Sequence, residues 1–120
     1  MKVLVVDDYD CQRDLMQDFL SGFFAEVLLA KNGYEGLKTM EANPDLSLVI
    51  SDLEMPVLNG FDMIALAKKN SKIREIPIII ITASITNEVS EKARELGVYF
   101  MLTKPIRSFN FLERLLTNFK

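Results

Sequence analysis

Residues 2–8 read KVLVVDD, a lysine, four consecutive apolar residues and then two aspartates. An uninterrupted apolar run of this length, without alternation, is what a strand covered on both faces requires, and parallel sheets are built of such strands. The construction recurs along the chain. LSLVIS (46–51) leads into Asp52, PIIIIT (77–82) ends on Thr82, YFMLT (99–103) leads into Lys104, and EVLLA (26–30) supplies one further run. Stretches of helical period separate these runs, so the pattern is βα repetition around a parallel sheet. Strands are predicted at Val3–Asp7, Glu26–Ala30, Leu48–Ser51, Ile78–Thr82 and Tyr99–Thr103. Helices are predicted at Asp10–Ser21, Gly33–Glu41, Phe61–Lys69, Glu88–Leu96 and Phe109–Asn118. Asn32 with Glu35 fits a capping box, Thr86 and Ser108 suit N-caps, and Gly97 suits a helix C-terminus. Leu15, Phe19, Leu20 and Phe23 form an apolar stripe on the first helix, as do Leu112, Leu115, Leu116 and Phe119 on the last.

The 120 residues suffice for one domain, residues 1–120, burying about two thirds of the surface the unfolded chain exposes. No apolar run approaches the roughly 18 residues that span a bilayer. The chain enters a strand at once, which leaves no space for a signal peptide, so a cytoplasmic location without membrane attachment is expected. Cys11 is the only cysteine, excluding an internal disulfide, and it is expected to pack as a small hydrophobe in a helix. Histidine is absent, which argues against triad hydrolysis and the usual zinc sites. A net charge of −3 gives no basis for nucleic-acid binding by this domain.

In an open parallel sheet the functional crevice lies outside the carboxyl ends of the strands. Asp7, Asp8, Asp52, Thr82 and Lys104 all fall there, so residues far apart in sequence converge in one pocket. Three carboxylates, a hydroxyl and an ammonium describe a metal-assisted phosphoryl-acceptor site. Carboxylates a few ångströms apart repel by about 4 kcal/mol at an effective dielectric near 20. Protonation or a hard cation such as Mg²⁺, which takes oxygen ligands and a phosphate, relieves this. Singly, each residue has an ordinary explanation. Asp7 and Asp8 would suit a helix start, Lys104 a solvated strand end, and Thr82 a strand. Their joint placement at strand ends makes those explanations insufficient.

The succession D-D (7–8), D-L-E-M-P-V-L-N-G (52–60), T-A (82–83) and K-P (104–105) resembles the response-regulator receiver domain, the CheY-like family, over essentially the whole chain. The resemblance implies a flavodoxin-like (βα)5 fold, a doubly wound five-stranded parallel sheet in strand order 2-1-3-4-5. It implies Asp52 as phosphoacceptor, with Lys104 pairing a phosphoryl oxygen and the Thr82 hydroxyl donating to another. Mg²⁺ would rest on Asp8, Asp52 and the backbone carbonyl of Glu54, with Asp7 assisting through water. The implied partners are a histidine kinase or histidine phosphotransfer protein, which supplies the phosphohistidine, and a downstream protein. The domain would then be a switch rather than an enzyme, catalysing only its own phosphoryl transfer and hydrolysis.

Met55-Pro56 and Gly60 are expected to shape the loop after Asp52, Gly60 at a position that a β-carbon would hinder. Lys104-Pro105 resembles the family's cis peptide, which would aim the lysine inward. The resemblance further implies that Glu54 and Ser84 flank the path of an attacking water and tune the lifetime of the phosphoryl group, Glu54 either orienting or repelling that water. Met101 departs from the family, which places Tyr or Phe three residues before the lysine. Coupling from Asp52 to the distal face is expected to survive without that ring. Residues 87–120 form the expected output surface, for a downstream partner or a homodimer, with Tyr99 or Phe100 in an exposed patch.

Three alternatives compete. D8-Y9-D10 resembles the D-x-D of haloacid-dehalogenase phosphatases, but Cys11, Gln12 and the Thr82 strand end fit poorly. A flavodoxin-like cofactor binder needs a phosphate-cradling loop where this chain has D-D-Y-D-C. A degenerate receiver serving only as an interaction module is disfavoured by the presence of all five site residues, while Met101 keeps it open.

Overall fold

The structure, a computed structural model, describes residues 1–104 and 109–117. Five strands alternate with five helices: β1 (Lys2–Val6), α1 (Asp10–Leu20), β2 (Glu26–Ala30), α2 (Gly33–Ala42), β3 (Leu48–Asp52), α3 (Gly60–Lys68), β4 (Ile78–Thr82), α4 (Asn87–Leu96), β5 (Phe100–Thr103) and α5 (Phe109–Leu116). All strand pairs are parallel, and the sheet order is β2-β1-β3-β4-β5. This is the flavodoxin-like, doubly wound architecture expected from the sequence.

The unbroken apolar runs are explained by two cores, one on each side of the sheet. Leu4, Val6, Val49, Ile78 and Ile80 point into the layer that also holds Met40 of α2 and Met63 and Ile64 of α3. Val3, Val5, Ile50, Ile79 and Ile81 point the other way, against Met16 and Leu20 of α1 and Leu112 and Leu116 of α5. Alternate residues of these strands thus serve opposite layers, and the polar Ser51 of β3 is buried with its hydroxyl donating to the Asp52 carbonyl at 2.8 Å.

The helix ends follow the chemistry of their caps. Asn32 Oδ1 accepts from the Glu35 N–H at 2.8 Å, and Glu35 reaches back to the Lys31 N–H at 3.2 Å, one residue before the reciprocal position of a capping box. Thr86 caps α4 through the Val89 N–H, and Gly97 closes it at φ 75°. Ser108, the last expected cap, lies outside the described residues, as do Pro105 and Phe119.

Three expectations are corrected. The apolar stripe of α1 runs through Met16 and Leu20, with Phe19 and Phe23 half-buried, while Leu15 is 55 % exposed. Cys11 is exposed rather than packed. Both follow from one fact: α1 lies so that its Met16–Leu20 line faces the sheet, which turns Cys11 and Leu15, one turn apart, outward together. The first strand also stops at Val6, leaving Asp7 in the loop beyond it, whereas Asp52 is itself the last residue of β3. Among the described residues no helix is long and apolar enough to cross a membrane.

Candidate functional site

Right-handed βα crossovers bring the carboxyl ends of β1, β3, β4 and β5 to one edge of the sheet. Asp7 follows β1 and is held by backbone on both sides: its N–H donates to the Ala30 carbonyl at 3.0 Å, and its Oδ1 accepts from the Tyr9 N–H at 2.9 Å. Arg13 Nη1 donates to the Asp7 carbonyl at 2.7 Å, a contact that the sequence did not suggest. Asp52 ends β3 with Oδ1 on the Leu53 N–H and Oδ2 on Lys104 Nζ, both at 2.9 Å. Lys104 is oriented in turn by its own N–H, which donates to the Thr82 carbonyl at 2.8 Å.

Asp7, Asp8 and Asp52 each offer a carboxylate oxygen, and these atoms lie within 4.8 Å of one another. Asp7 and Asp52 are 6 % and 5 % exposed, while Asp8 faces solvent. Burial pushes the Asp7 carboxyl above the usual carboxylate range, against the Tyr9 N–H and the Lys104 charge, which pull it down. Burial likewise raises Asp52, outweighing its hydrogen bond and attraction to Lys104, and the Asp7 charge adds to the rise. Burial also opposes the charge on Lys104, but the bond to Asp52 and the charges of Asp52, Asp7 and Asp8 outweigh it and raise the ammonium. One ammonium is therefore shared among three carboxylates. All-oxygen donors, two of them in a cleft that disfavours their charge, fit a hard divalent cation.

The fifth predicted residue, Thr82, is fully buried at the end of β4. Its hydroxyl points to the Glu54 carboxylate, with Oε1 at 3.2 Å and Oε2 at 3.3 Å, and the Ser84 carbonyl is 3.5 Å away. All five predicted residues thus meet at one edge. Glu54 joins them through its side chain as well as its place in the loop.

That loop is unusually shaped. The Leu58 N–H donates to the Pro56 carbonyl at 2.7 Å, closing a γ-turn around Val57, whose φ is 71°. Gly60 then seats α3 directly behind the site: a β-carbon there would stand 2.6 Å from the Asp52 carbonyl oxygen. The expectation for Gly60 is met, with backbone as the obstacle. Met101 is half-buried and packs against the core on the α2–α4 side of the sheet. Tyr99 and Phe100 are 46 % and 37 % exposed, so both reach the surface where one was expected to.

The description "response regulator receiver domain" matches residues 3–116. The chain belongs to the response-regulator receiver family. It is 36 % identical over 106 residues to the chemotaxis protein CheY1 of Helicobacter pylori, covering 88 % of this chain and 86 % of that protein. The crystal structure of the chemotaxis protein CheY4 of Vibrio cholerae superposes with a TM-score of 0.89 at 28 % identity, covering 99 % of this receiver and 98 % of that chain. A receiver domain of a sensor histidine kinase from Pseudomonas aeruginosa, crystallised with a magnesium ion coordinated in its active-site cleft, superposes with a TM-score of 0.85. At 23 % identity, with 98 % and 95 % of the two chains covered, that likeness shows the shared fold. The receiver is thus a CheY-like module of two-component signalling, a system in which receivers work with histidine kinases and downstream targets.

Proposed function

We propose that this receiver is a phosphorylation-controlled switch in which Asp52 accepts a phosphoryl group from a partner's phosphohistidine. The observation that carries the reading is the coordination of Asp52 itself. It is buried, held through one oxygen by Lys104, and set beside Asp7 and Asp8. In the transfer, the N–P bond to the partner's imidazole breaks as an O–P bond to the Asp52 carboxylate forms. The imidazole nitrogen keeps the electron pair. Residues 1–120 contain no histidine, so the donor imidazole lies outside this domain, or the donor is a small acyl phosphate.

Asp7, Asp8, Asp52 and the Glu54 carbonyl would hold Mg²⁺, which when bound neutralises the carboxylates and the phosphoryl oxygens. The carboxylate oxygens of Asp7, Asp8 and Asp52, gathered within 4.8 Å of one another, support that assignment. Lys104 lies within reach of Asp52 and would follow a phosphoryl oxygen there, and the Thr82 hydroxyl would donate to a second. The output would be a population shift in the α4–β5–α5 surface that alters affinity for a downstream protein. The domain would turn over nothing but its own phosphoryl group.

The phosphatase alternative requires Asp10 as a second carboxylate in the cleft. Asp10 instead begins α1, is exposed, and pairs with Arg13. It stands outside the group formed by Asp7, Asp8 and Asp52. Intact mass after incubation with acetyl phosphate and Mg²⁺ tests the proposal. One phosphoryl adduct is expected on the wild type, and none on Asp52→Asn or without metal. Absence of both adduct and released phosphate from the wild type would leave an interaction module.

A further inference from the structure

We propose that Glu54 is a built-in stand-in for the phosphoryl group, occupying the Thr82 hydroxyl at rest and surrendering it on phosphorylation. The inference rests on the phosphoacceptor reading for its consequence, but its resting contact is independent of that reading. Thr82 is fully buried and has a single hydroxyl proton to donate. Both oxygens of Glu54 lie at nearly equal distance from it, 3.2 and 3.3 Å, so the proton meets a carboxylate in either orientation of that group. The next acceptor, the Ser84 carbonyl at 3.5 Å, is at the limit of hydrogen-bond range.

Glu54 differs from the other acids of the site in what it touches. Like Asp8 it is exposed and makes no salt bridge among the described residues, but its carboxylate alone meets the Thr82 hydroxyl. It is held at its tip by the hydroxyl that a phosphoryl oxygen on Asp52 would need. The Thr82 hydroxyl has one proton, so it can donate to only one of the two anions at a time. Phosphorylation therefore exchanges one acceptor for another. Thr82 is never left with a buried, unsatisfied donor, and Glu54 is released into water, where an exposed carboxylate loses little.

The exchange makes Glu54 a competitor that lowers the receiver's affinity for a phosphoryl group, and it acts through Thr82. A plain surface charge would act on the ligand directly. These are separable by a double-mutant cycle. Beryllium trifluoride, a non-covalent phosphoryl mimic, is titrated at saturating Mg²⁺ and followed by fluorine NMR for wild type, Glu54→Ala, Thr82→Ala and the double variant. The expected result is tightening by about fivefold in Glu54→Ala, the scale of one ordinary net hydrogen bond. In the Thr82→Ala background the same change should tighten binding less than about twofold. Equal tightening in both backgrounds, or none in the first, overturns the proposal.

A second measurement needs no ligand. Three-bond couplings should report one side-chain rotamer for Thr82 in the wild type and in Glu54→Gln, whose amide oxygen still accepts, and averaging in Glu54→Ala. An unchanged rotamer in Glu54→Ala overturns the resting contact. If instead the wild type and Asp52→Asn bind the mimic equally poorly, the phosphoacceptor reading fails, and the rotamer result stands apart from it.

Discussion

Lys104 Nζ lies 2.9 Å from Oδ2 of Asp52, joining the ends of β5 and β3 across 52 positions of sequence. The contact is asymmetric. Asp52 is almost wholly buried, while the Lys104 side chain keeps 25 % of its surface in water. The lysine can therefore follow a new anion on Asp52 without leaving solvent, whereas the aspartate has no other cation among the described residues. Removing the lysine strands the buried partner, and that asymmetry sets the first expected outcome.

Lys104→Met should destabilise the fold at neutral pH by about 1–2 kcal/mol, below the figure for a fully buried pair because Lys104 is partly solvated. Urea denaturation measures this. The double variant Lys104→Met/Asp52→Asn should recover most of the loss, since no unpaired charge remains in the cleft. A loss that persisted in the double variant would assign the effect to lysine packing.

Asp7→Asn should act in the opposite direction. The amide oxygen can keep the bond from the Tyr9 N–H while one of the crowded charges disappears. Stability without metal is expected to rise by about 1 kcal/mol, the scale of one partly screened like-charge contact. Added Mg²⁺ should then raise the melting temperature of the wild type and have little effect on the variant. Calorimetry with EDTA and with Mg²⁺ gives both numbers.

Burial of Asp7 and Asp52, with their like charges, fixes a pH dependence. Asp7 faces Asp8, Arg13 and Lys104, and Asp52 faces Lys104 and Asp7. Both carboxyls titrate above 3.8 in the folded state, so between 3.8 and their folded values the native protein holds protons that the unfolded chain has released. Their contribution to stability therefore grows as pH falls through the folded values and is complete below 3.8. Lys104, raised above 10.5, contributes stability that is lost only on the alkaline side. Urea midpoints in EDTA should accordingly rise on acidification from neutral, and Asp7→Asn should flatten that slope. Saturating Mg²⁺ should reverse it, because bound metal requires the ionised carboxylates.

Why the strands could be read from sequence and part of the site could not is a matter of what each residue's neighbours are. Runs such as Ile78–Ile81 announce themselves because both faces are covered, and the strand ends then locate Asp52, Thr82 and Lys104 with no further information. A helix face is less determinate. On α1, Leu15 and Met16 are adjacent, either line through Phe19 or Leu20 is apolar, and only the packing angle on the sheet selects Met16. The Glu54–Thr82 contact was hidden for another reason. It depends on where the loop after Asp52 turns, and that turn is made at Val57, a β-branched residue at positive φ that carries none of the usual signals of Gly, Asn or Asp.

Val57 itself should be easy to improve. It is 78 % exposed, so its side chain contributes little burial, while its backbone sits where a β-branched residue is strained. Val57→Gly trades that strain for the greater freedom of glycine in the unfolded chain. A net gain of about 1 kcal/mol is expected, or roughly 4 °C in melting temperature for a domain of this size. A loss on substitution would mean that the γ-turn is held by something other than local backbone preference.

Gly60 offers the converse case. A β-carbon there would meet the Asp52 carbonyl oxygen at 2.6 Å, with Leu53 Cα and Ile80 Cδ1 both at 3.2 Å, and the first obstacle is backbone that cannot rotate away. Its own N–H donates to the Leu53 carbonyl at 2.8 Å, so α3 and the end of β3 are tied where the clash occurs. Gly60→Ala should therefore cost about 2 kcal/mol, the usual scale of overpacking in a buried region. It should also shift the amide resonances of Asp52 and Leu53 and slow adduct formation with acetyl phosphate, because relief of the clash moves Asp52, the proposed acceptor. Gly22→Ala is the control, since its β-carbon would stand 3.5 Å from the Phe19 carbonyl, at ordinary contact distance. If Gly60→Ala lost stability yet left those two resonances and the adduct rate unchanged, the strain would be absorbed by α3, and the glycine would serve the packing of that helix alone.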